Sequence, residues 1–86
     1  MNEDNVVEIG RVTHFFSKIN VAVIELKTSL KVGDTIAFKG PNTDFEQVVD
    51  SMQIEHENVQ QAEAGQSIGL KVLQRVRETD KVYKQQ

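Results

Sequence analysis

The apolar and polar residues of this 86-residue chain alternate with the period of two that is typical of β-strands. The alternation predicts six strands, each bounded by polar or glycine-containing turns. These predicted strands span residues 6–16, 20–27, 35–39, 45–55, 67–74 and 81–84. No window of useful length has helical periodicity, so we expect an all-β protein.

The same alternation predicts which side chains form the core, because successive side chains of a strand point to opposite faces. The fourth predicted strand carries Gln47 on its outer face. Residues 57–66, which follow this strand, are polar enough to predict a loop. The side chains predicted to point inward are Ala22, Ile24, Leu26, Ile36, Phe38, Val48, Met52, Ile54, Ile68, Leu70 and Val72.

Two glycine turns precede apolar strands and are the most specific local features of the chain. Gly33 follows Leu30-Lys31-Val32 and can adopt the positive φ that a tight turn requires. Asp34 can accept hydrogen bonds from nearby backbone amides, as in an Asx turn. Gly65 occupies the equivalent place before the strand that begins at Ser67. We therefore predict that Gly33, Asp34 and Gly65 are structural turn residues.

Charge is distributed unevenly along the chain, although the net charge is only -3. Residues 1–70 have a balance of -6, whereas residues 71–86 have a balance of +3. Such asymmetry can mark an interaction surface, and it can also be a solvated edge. The candidate RNA- or partner-binding residues are the basic side chains of the last segment and one at a predicted hairpin tip: Lys71, Arg75, Arg77, Lys81, Lys84 and Lys18.

Composition narrows the class of protein further. The chain has no cysteine, which excludes disulfides and thiolate zinc sites. No apolar run approaches the ~18 residues of a membrane span, and the acidic N-terminus is unlike a signal peptide. These features predict a cytoplasmic protein that does not use a membrane, and we expect a monomer.

Catalytic and cofactor motifs are not found in the sequence. There is no phosphate-binding loop of the Gly-x-x-x-x-Gly-Lys-Ser/Thr type, so GTP binding in the manner of the GTPases is not expected. His14 and His56 lie far apart and are interpreted as structural or surface residues. No serine has the glycine elbow of a nucleophile. We therefore predict no enzyme activity, no cofactor and no metal.

Phe15 and Phe16 are adjacent, so a regular strand must point them to opposite faces. One of them is a candidate for exposure beside Lys18 at the hairpin tip. The alternative is that both are core residues at a bulge.

Two sets of motifs resemble known families. Four short motifs resemble, in order, the second domain of elongation factor Tu and its relatives: Gly10-x-Val12, Leu30-Lys31-Val32-Gly33-Asp34, Val49-x-x-Met52 and Ala62-x-x-Gly65-x-x-Ile68-Gly69-Leu70. Other motifs, over about residues 6–84, resemble more closely the C-terminal barrel of collagenase-like (U32) peptidases: Val12-Thr13-His14-Phe15-Phe16, Gly40-Pro41-Asn42-Thr43-Asp44-Phe45, Ser51-Met52-Gln53-Ile54 and Val76-Arg77-x-x-Asp80-Lys81-Val82-Tyr83.

These resemblances imply a small, six-stranded, antiparallel closed β-barrel of the translation-protein type. Residues 6–84 would form this one domain, between a flexible N-terminus at 1–5 and a C-terminal tail at 85–86. They imply a non-enzymatic translation-factor-like module that contacts tRNA, ribosomal RNA or the ribosome. The alternative is an accessory domain that docks on a separate catalytic subunit, such as a U32 peptidase-like protein.

Overall fold

The computed structural model describes residues 6–85. Residues 1–5, predicted as a flexible N-terminus, and Gln86 lie outside the described residues. The chain forms ten strands: β1 Val6–Phe16, β2 Val21–Leu26, β3 Leu30–Lys31, β4 Thr35–Gly40, β5 Thr43–Val48, β6 Met52–Ile54, β7 Glu57–Val59, β8 Gln61–Ala62, β9 Ser67–Lys71 and β10 Lys81–Gln85. The last strand therefore extends one residue beyond the domain boundary predicted at 84.

Eight strands form one antiparallel sheet, in the order β5-β4-β10-β1-β2-β9-β6-β7, and β3 pairs with β8 in a second sheet. The prediction of an all-β antiparallel fold is confirmed. The prediction of six strands in a closed barrel is wrong, because the described residues form eight plus two strands and show no pairing between the edge strands β5 and β7. Within residues 6–85 no helix is long and apolar enough to cross a membrane.

A single apolar core lies on the inner face of the large sheet. Ala22, Ile24 and Leu26 of β2 are buried, as the alternation predicts, and so are Ile68 and Leu70 of β9. Burying such side chains is the main source of stability in a domain of this size. The remaining fully buried large side chains come from most other strands and the turns between them: Ile9, Val12, Leu30, Ile36, Phe38, Val49, Met52, Val76 and Val82.

The fourth predicted strand is in fact two strands, and its predicted inward face is wrong at two positions. Val48 is 50% exposed, whereas Gln47 is buried and Val49 is completely buried. Phe45 points inward because its ring stacks on Phe38, with the ring centroids 5.0 Å apart. This contact fixes the alternation of β5, and the chain then leaves the strand after Val48.

Residues 57–66 are not a loop throughout, because they contain β7 and β8. A two-residue turn at Glu55 and His56 connects β6 to β7, and both residues have positive φ, at 51° and 69°. Such turns usually contain Asn-Gly or a similar pair, which this sequence lacks. The hairpin therefore carries no sequence signal that could have predicted it.

The turn at Gly33 has the geometry that only glycine adopts easily, with φ at 99°. The backbone amide of Gly33 donates to the Val49 carbonyl at 2.9 Å, and the Asp34 carboxylate accepts from the Lys31 amide at 3.0 Å. Gly65 also has positive φ, at 89°, and its amide donates to the Leu26 carbonyl at 2.9 Å.

The Gln47 side chain links edge strand β5 to the end of β9. Its Nε2 donates to the Lys71 carbonyl at 3.0 Å, and its Oε1 accepts from the Leu73 amide at 2.9 Å. The side-chain amide thus makes the two hydrogen bonds that a neighbouring strand would make. This bridge holds together parts of the sheet that no strand pairing joins within the described residues.

Asp80 is a buried carboxylate that anchors the segment between β9 and β10. It accepts hydrogen bonds from the Thr43 hydroxyl at 2.5 Å and from the Arg77 amide at 2.9 Å. A Cβ on Gly40 would overlap this carboxylate, so the β4–β5 hairpin packs against it without a side chain at that position. These contacts fix the path of residues 75–80 beside β1.

Candidate interaction surface

The six basic side chains singled out in the sequence do not form one cluster. Lys84 is held inside the domain, because its Nζ donates to the Ser29 carbonyl at 3.1 Å and lies 3.8 Å from the Asp34 carboxylate. Lys81 lies 3.5 Å from the Glu8 carboxylate. Both cations are therefore already paired by the fold.

Glu8 is the carboxylate that pairs with both Lys81 and Lys27. The hydrogen bond from Lys27, with the added positive charge of Lys27 and Lys81, lowers the pKa of the Glu8 carboxyl below its usual range despite opposing desolvation. Glu8 therefore remains ionised at neutral pH and keeps both lysines engaged. This arrangement stabilises the β1–β10 pairing and leaves neither lysine in an open basic patch.

The remaining four of the six candidates have no ion pair with any residue in the described range: Lys18, Lys71, Arg75 and Arg77. All four are exposed. Arg75 and Arg77 line a shallow groove with Phe15 and Ser17, next to the turn that carries Lys18. Lys71 lies opposite Val21 in the pairing of β2 with β9.

The outer face of four neighbouring strands has an apolar centre. Phe16 of β1 lies opposite Val21 of β2. Two residues further along β2, Val23 lies opposite Gly69 of β9, which in turn lies opposite Gln53 of β6. Directly opposed residues place their side chains on the same face of a sheet. We call this surface the Gly69 face and define it by Phe16, Ile19, Val21, Val23, Gln53 and Gly69, which line one groove.

Phe16 is the exposed member of the aromatic pair, as one of the two sequence interpretations predicts. It is 47% exposed, whereas Phe15 is half-buried and packs against the core. The His14 ring meets the Phe16 ring edge to face, with centroids 4.3 Å apart, and His14 Nδ1 lies 3.5 Å from the Glu78 carboxylate. Ile19 at the hairpin tip is 59% exposed.

Gly69 lies in the middle of this face, and its backbone does not require glycine. The φ of Gly69 is not positive, and a Cβ placed on it would meet only Val21 Cγ1, at an ordinary contact distance of 3.7 Å. Glycine weakens the interior of a strand, and it often marks a place where another chain or ligand approaches closely. Its effect here is to leave the floor of the groove open between Val23 and Gln53.

The histidines do not form a metal site in the described part of the chain. His14 pairs with Glu78 and Phe16, whereas His56 lies at the β6–β7 turn and lines the opposite end of the groove with Glu55. Among residues 6–85 there is no group of three His, Cys, Asp or Glu side chains that could hold a metal ion. The Gly69 face combines apolar side chains with the Gln53 amide, and Lys18 and Lys71 lie at its edge, so it is suited to non-covalent contact.

Sequence reasoning missed this face, although part of its signal was visible. The outward positions of the second strand begin with Val21 and Val23 rather than with charged residues. Two β-branched residues on a nominally solvated face, beside a mid-strand glycine, are the sequence signal of an apolar surface patch. The pairing that places Gly69 next to Val23 could not be inferred from local sequence.

Comparisons with known proteins identify relatives of this chain. No family model matches it. It is 50% identical over 78 residues to a Methanocaldococcus jannaschii protein named as an uncharacterized protease. The matched segment covers 90% of this chain and 19% of that protein. It is 34% identical over 80 residues to a Porphyromonas gingivalis collagenase, covering 91% of this chain and 19% of the collagenase. The chain thus spans about a fifth of the length of the curated relatives it matches.

Solved structures show the same fold. The C-terminal domain of a candidate U32 peptidase from Geobacillus thermoleovorans superposes with a TM-score of 0.86 at 19% identity. The superposition covers 100% of this chain and 98% of that domain. A selenomethionine form of the same domain gives a TM-score of 0.84 at 20% identity.

These findings correct two predictions. The prediction that the chain is not an enzyme is overturned, because the relatives that it matches are named as a protease and collagenases. The prediction of a translation-factor-like, RNA-binding module is wrong, since the relatives and structural neighbours point to U32 peptidases instead. The elongation-factor motifs are short and shared by glycine turns that precede β-strands. The chain has the fold of a U32 peptidase C-terminal domain, and its relatives are collagenase-like proteins.

Proposed function

We propose that this chain is the C-terminal accessory domain of a U32 peptidase-like protein and docks on the catalytic part of that protein. The observation that carries the proposal is the asymmetry of coverage. The match to the Methanocaldococcus jannaschii relative takes in 90% of this chain and only 19% of the relative. The remaining four fifths of such a protein would hold the peptidase chemistry, and this domain would support it.

The charge pattern supports a protein partner. Two of the six candidate cations, Lys81 and Lys84, are paired within the domain. The other four have no ion pair among residues 6–85, and two of them, Lys18 and Lys71, border the apolar Gly69 face. An apolar centre with a polar border is the usual anatomy of a protein–protein interface. We propose that Lys18, Lys71, Arg75 and Arg77 contact the partner. The cytoplasmic location and the monomeric state stay predictions.

A domain exchange in the Porphyromonas gingivalis collagenase tests this function. The 80 residues that match are replaced by this chain, and cleavage of collagen is compared with that by the intact collagenase. The matched control carries the same replacement with Gly10→Val, because a Cβ at Gly10 would overlap the Glu25 carbonyl and disrupt the β1–β2 pairing.

We expect the exchanged protein to cleave collagen at a rate of the same order as the intact collagenase, and the Gly10→Val control to be much slower. Equal rates for the exchanged protein and its control would contradict the proposal, because a folded domain would then contribute nothing. A collagenase from which the 80 matching residues are deleted gives the baseline rate. A rate for the exchanged protein as low as this baseline would also contradict the proposal.

A further inference from the structure

We propose that this domain docks through the Gly69 face. The surface that covers this face is an apolar protrusion with carboxylates at its edge, and it belongs to the catalytic part of the same peptidase-like protein. This inference rests on the proposed function and adds the face and the chemistry of the partner. It is carried by three observations on the described residues.

The first observation is the open floor at Gly69. The neighbouring outward positions are the β-branched Val21 and Val23, yet the position between Val23 and Gln53 has no side chain. Neither backbone conformation nor crowding requires this, since a Cβ would fit at 3.7 Å from Val21. An incoming side chain can therefore reach the backbone of β9 between the apolar Val23 on one side and the Gln53 amide on the other.

The second observation is the exposed apolar surface that continues from this floor. Phe16 and Ile19 are 47% and 59% exposed, and both line the groove. They are also shared with a second shallow groove around the β1–β2 turn. Large apolar side chains that are exposed together, rather than singly, indicate a surface that is covered in the functional protein.

The third observation is the charge at the edge of the face. Lys71 lies directly opposite Val21, and Lys18 is in the turn beside Phe16 and Ile19. Neither cation has an ion pair among residues 6–85, although the chain as a whole is acidic. Unpaired cations beside an apolar groove favour a partner that supplies carboxylates at this edge. At the opposite end Glu55 and His56 line the groove, so the cationic edge also sets the orientation of the partner.

Site-specific labelling locates the docked face. The chain has no cysteine, so Val23→Cys places a single thiol on the Gly69 face, and Asn42→Cys places one in the β4–β5 turn at the other edge of the sheet. Each variant is prepared as the free 86-residue chain and within the full-length Methanocaldococcus jannaschii relative, where it replaces the 78 matching residues. Rates of maleimide labelling are read peptide by peptide with mass spectrometry.

We expect position 23 to label at least about tenfold more slowly in the full-length protein than in the free chain, as a docked population of ten to one requires. Position 42 should label at the same rate in both. Slow labelling at 42 with unchanged labelling at 23 would overturn the proposed face and leave the accessory-domain function intact. Unchanged labelling at both positions would overturn docking itself, and the face with it.

Four further variants distinguish protection by contact at the Gly69 face from protection by any other burial of position 23. Gly69→Gln fills the groove and should restore the labelling of position 23 in the full-length protein, whereas Gly69→Ala should leave most of the protection. Lys71→Glu should also restore labelling, and Lys31→Glu, the same charge change on the distant strand β3, should not. Protection of position 23 that survives Gly69→Gln and Lys71→Glu would overturn the proposal. Unchanged melting temperatures of the free variants serve as the folding control.

Discussion

The Gln47 bridge is predicted to be a major determinant of stability, and Gln47→Leu tests it. The substitution preserves most of the side-chain volume and removes both hydrogen bonds, to the Lys71 carbonyl at 3.0 Å and from the Leu73 amide at 2.9 Å. Each backbone group left without its partner costs about 1–3 kcal/mol when it stays away from water. Because Lys71 and Leu73 are exposed residues, water can partly replace the lost bonds, so only the lower end of this range, about 1–1.5 kcal/mol, applies to each group.

We therefore expect Gln47→Leu to lower the free energy of unfolding by about 2–3 kcal/mol. For a domain of this size that corresponds to a decrease in melting temperature of roughly 10–20 °C. The assay is thermal unfolding followed by circular dichroism, together with urea titration. Gln47→Glu should be at least as destabilising at neutral pH, since it places a carboxylate oxygen against the Lys71 carbonyl in place of the donor.

Gln74→Leu is the matched control, because it makes the same chemical change at an exposed position of the same region. Its effect on stability should remain within about 0.5 kcal/mol. A melting temperature for Gln47→Leu that is indistinguishable from that of Gln74→Leu would refute the reasoning. It would mean that the β5 edge is held by its other contacts and that the bridge is incidental.

Three further predictions concern a glycine turn and two carboxylates, Asp80 and Glu8. Gly33→Val should destabilise the domain by more than about 1 kcal/mol in urea titration, because φ at 99° is unfavourable for valine although its Cβ would meet nothing; an unchanged midpoint would contradict this. Asp80→Ala should cost about 2–4 kcal/mol, since it strands the buried Thr43 hydroxyl and the Arg77 amide, and Thr43→Val should cost less. Glu8→Gln should cost less than about 1 kcal/mol at pH 7, because Lys27 is largely exposed. The contribution of ionised Glu8 to stability is complete above the usual glutamate pKa and disappears as pH falls through the lowered pKa of Glu8. The melting temperatures of the original chain and of Glu8→Gln should therefore converge in acid.

The sequence predicted those parts of the fold in which local pattern and tertiary packing agree. The alternation identified Ala22, Ile24 and Leu26 as core residues, because β2 itself stays regular; the register shift in its pairing with β1 lies in β1, between Val12 and His14. The alternation failed at Val48, where the stack of Phe45 on Phe38 sets the phase of β5. That contact joins two strands and cannot be inferred from either strand alone.

The candidate site was less predictable than the fold. Lys81 and Lys84 were grouped with the other cations because they lie near them in sequence, yet Glu8 and Asp34 reach them across the fold. The Gly69 face exists only after β1, β2, β9 and β6 are brought side by side. Pairing between strands that are distant in sequence therefore decides which surface is apolar and which cations stay unpaired.

Calorimetry of the chain inside its relative tests the central claim most directly. The 86-residue chain is compared, free and in place of the matching 78 residues of the full-length Methanocaldococcus jannaschii protein. Docking stabilises the folded domain by mass action, so its unfolding should move upward by about 5 °C or more, which corresponds to roughly 1 kcal/mol. An unfolding transition at the same temperature in both settings would contradict the account, because the domain would then be tethered to the peptidase-like protein without contacting it.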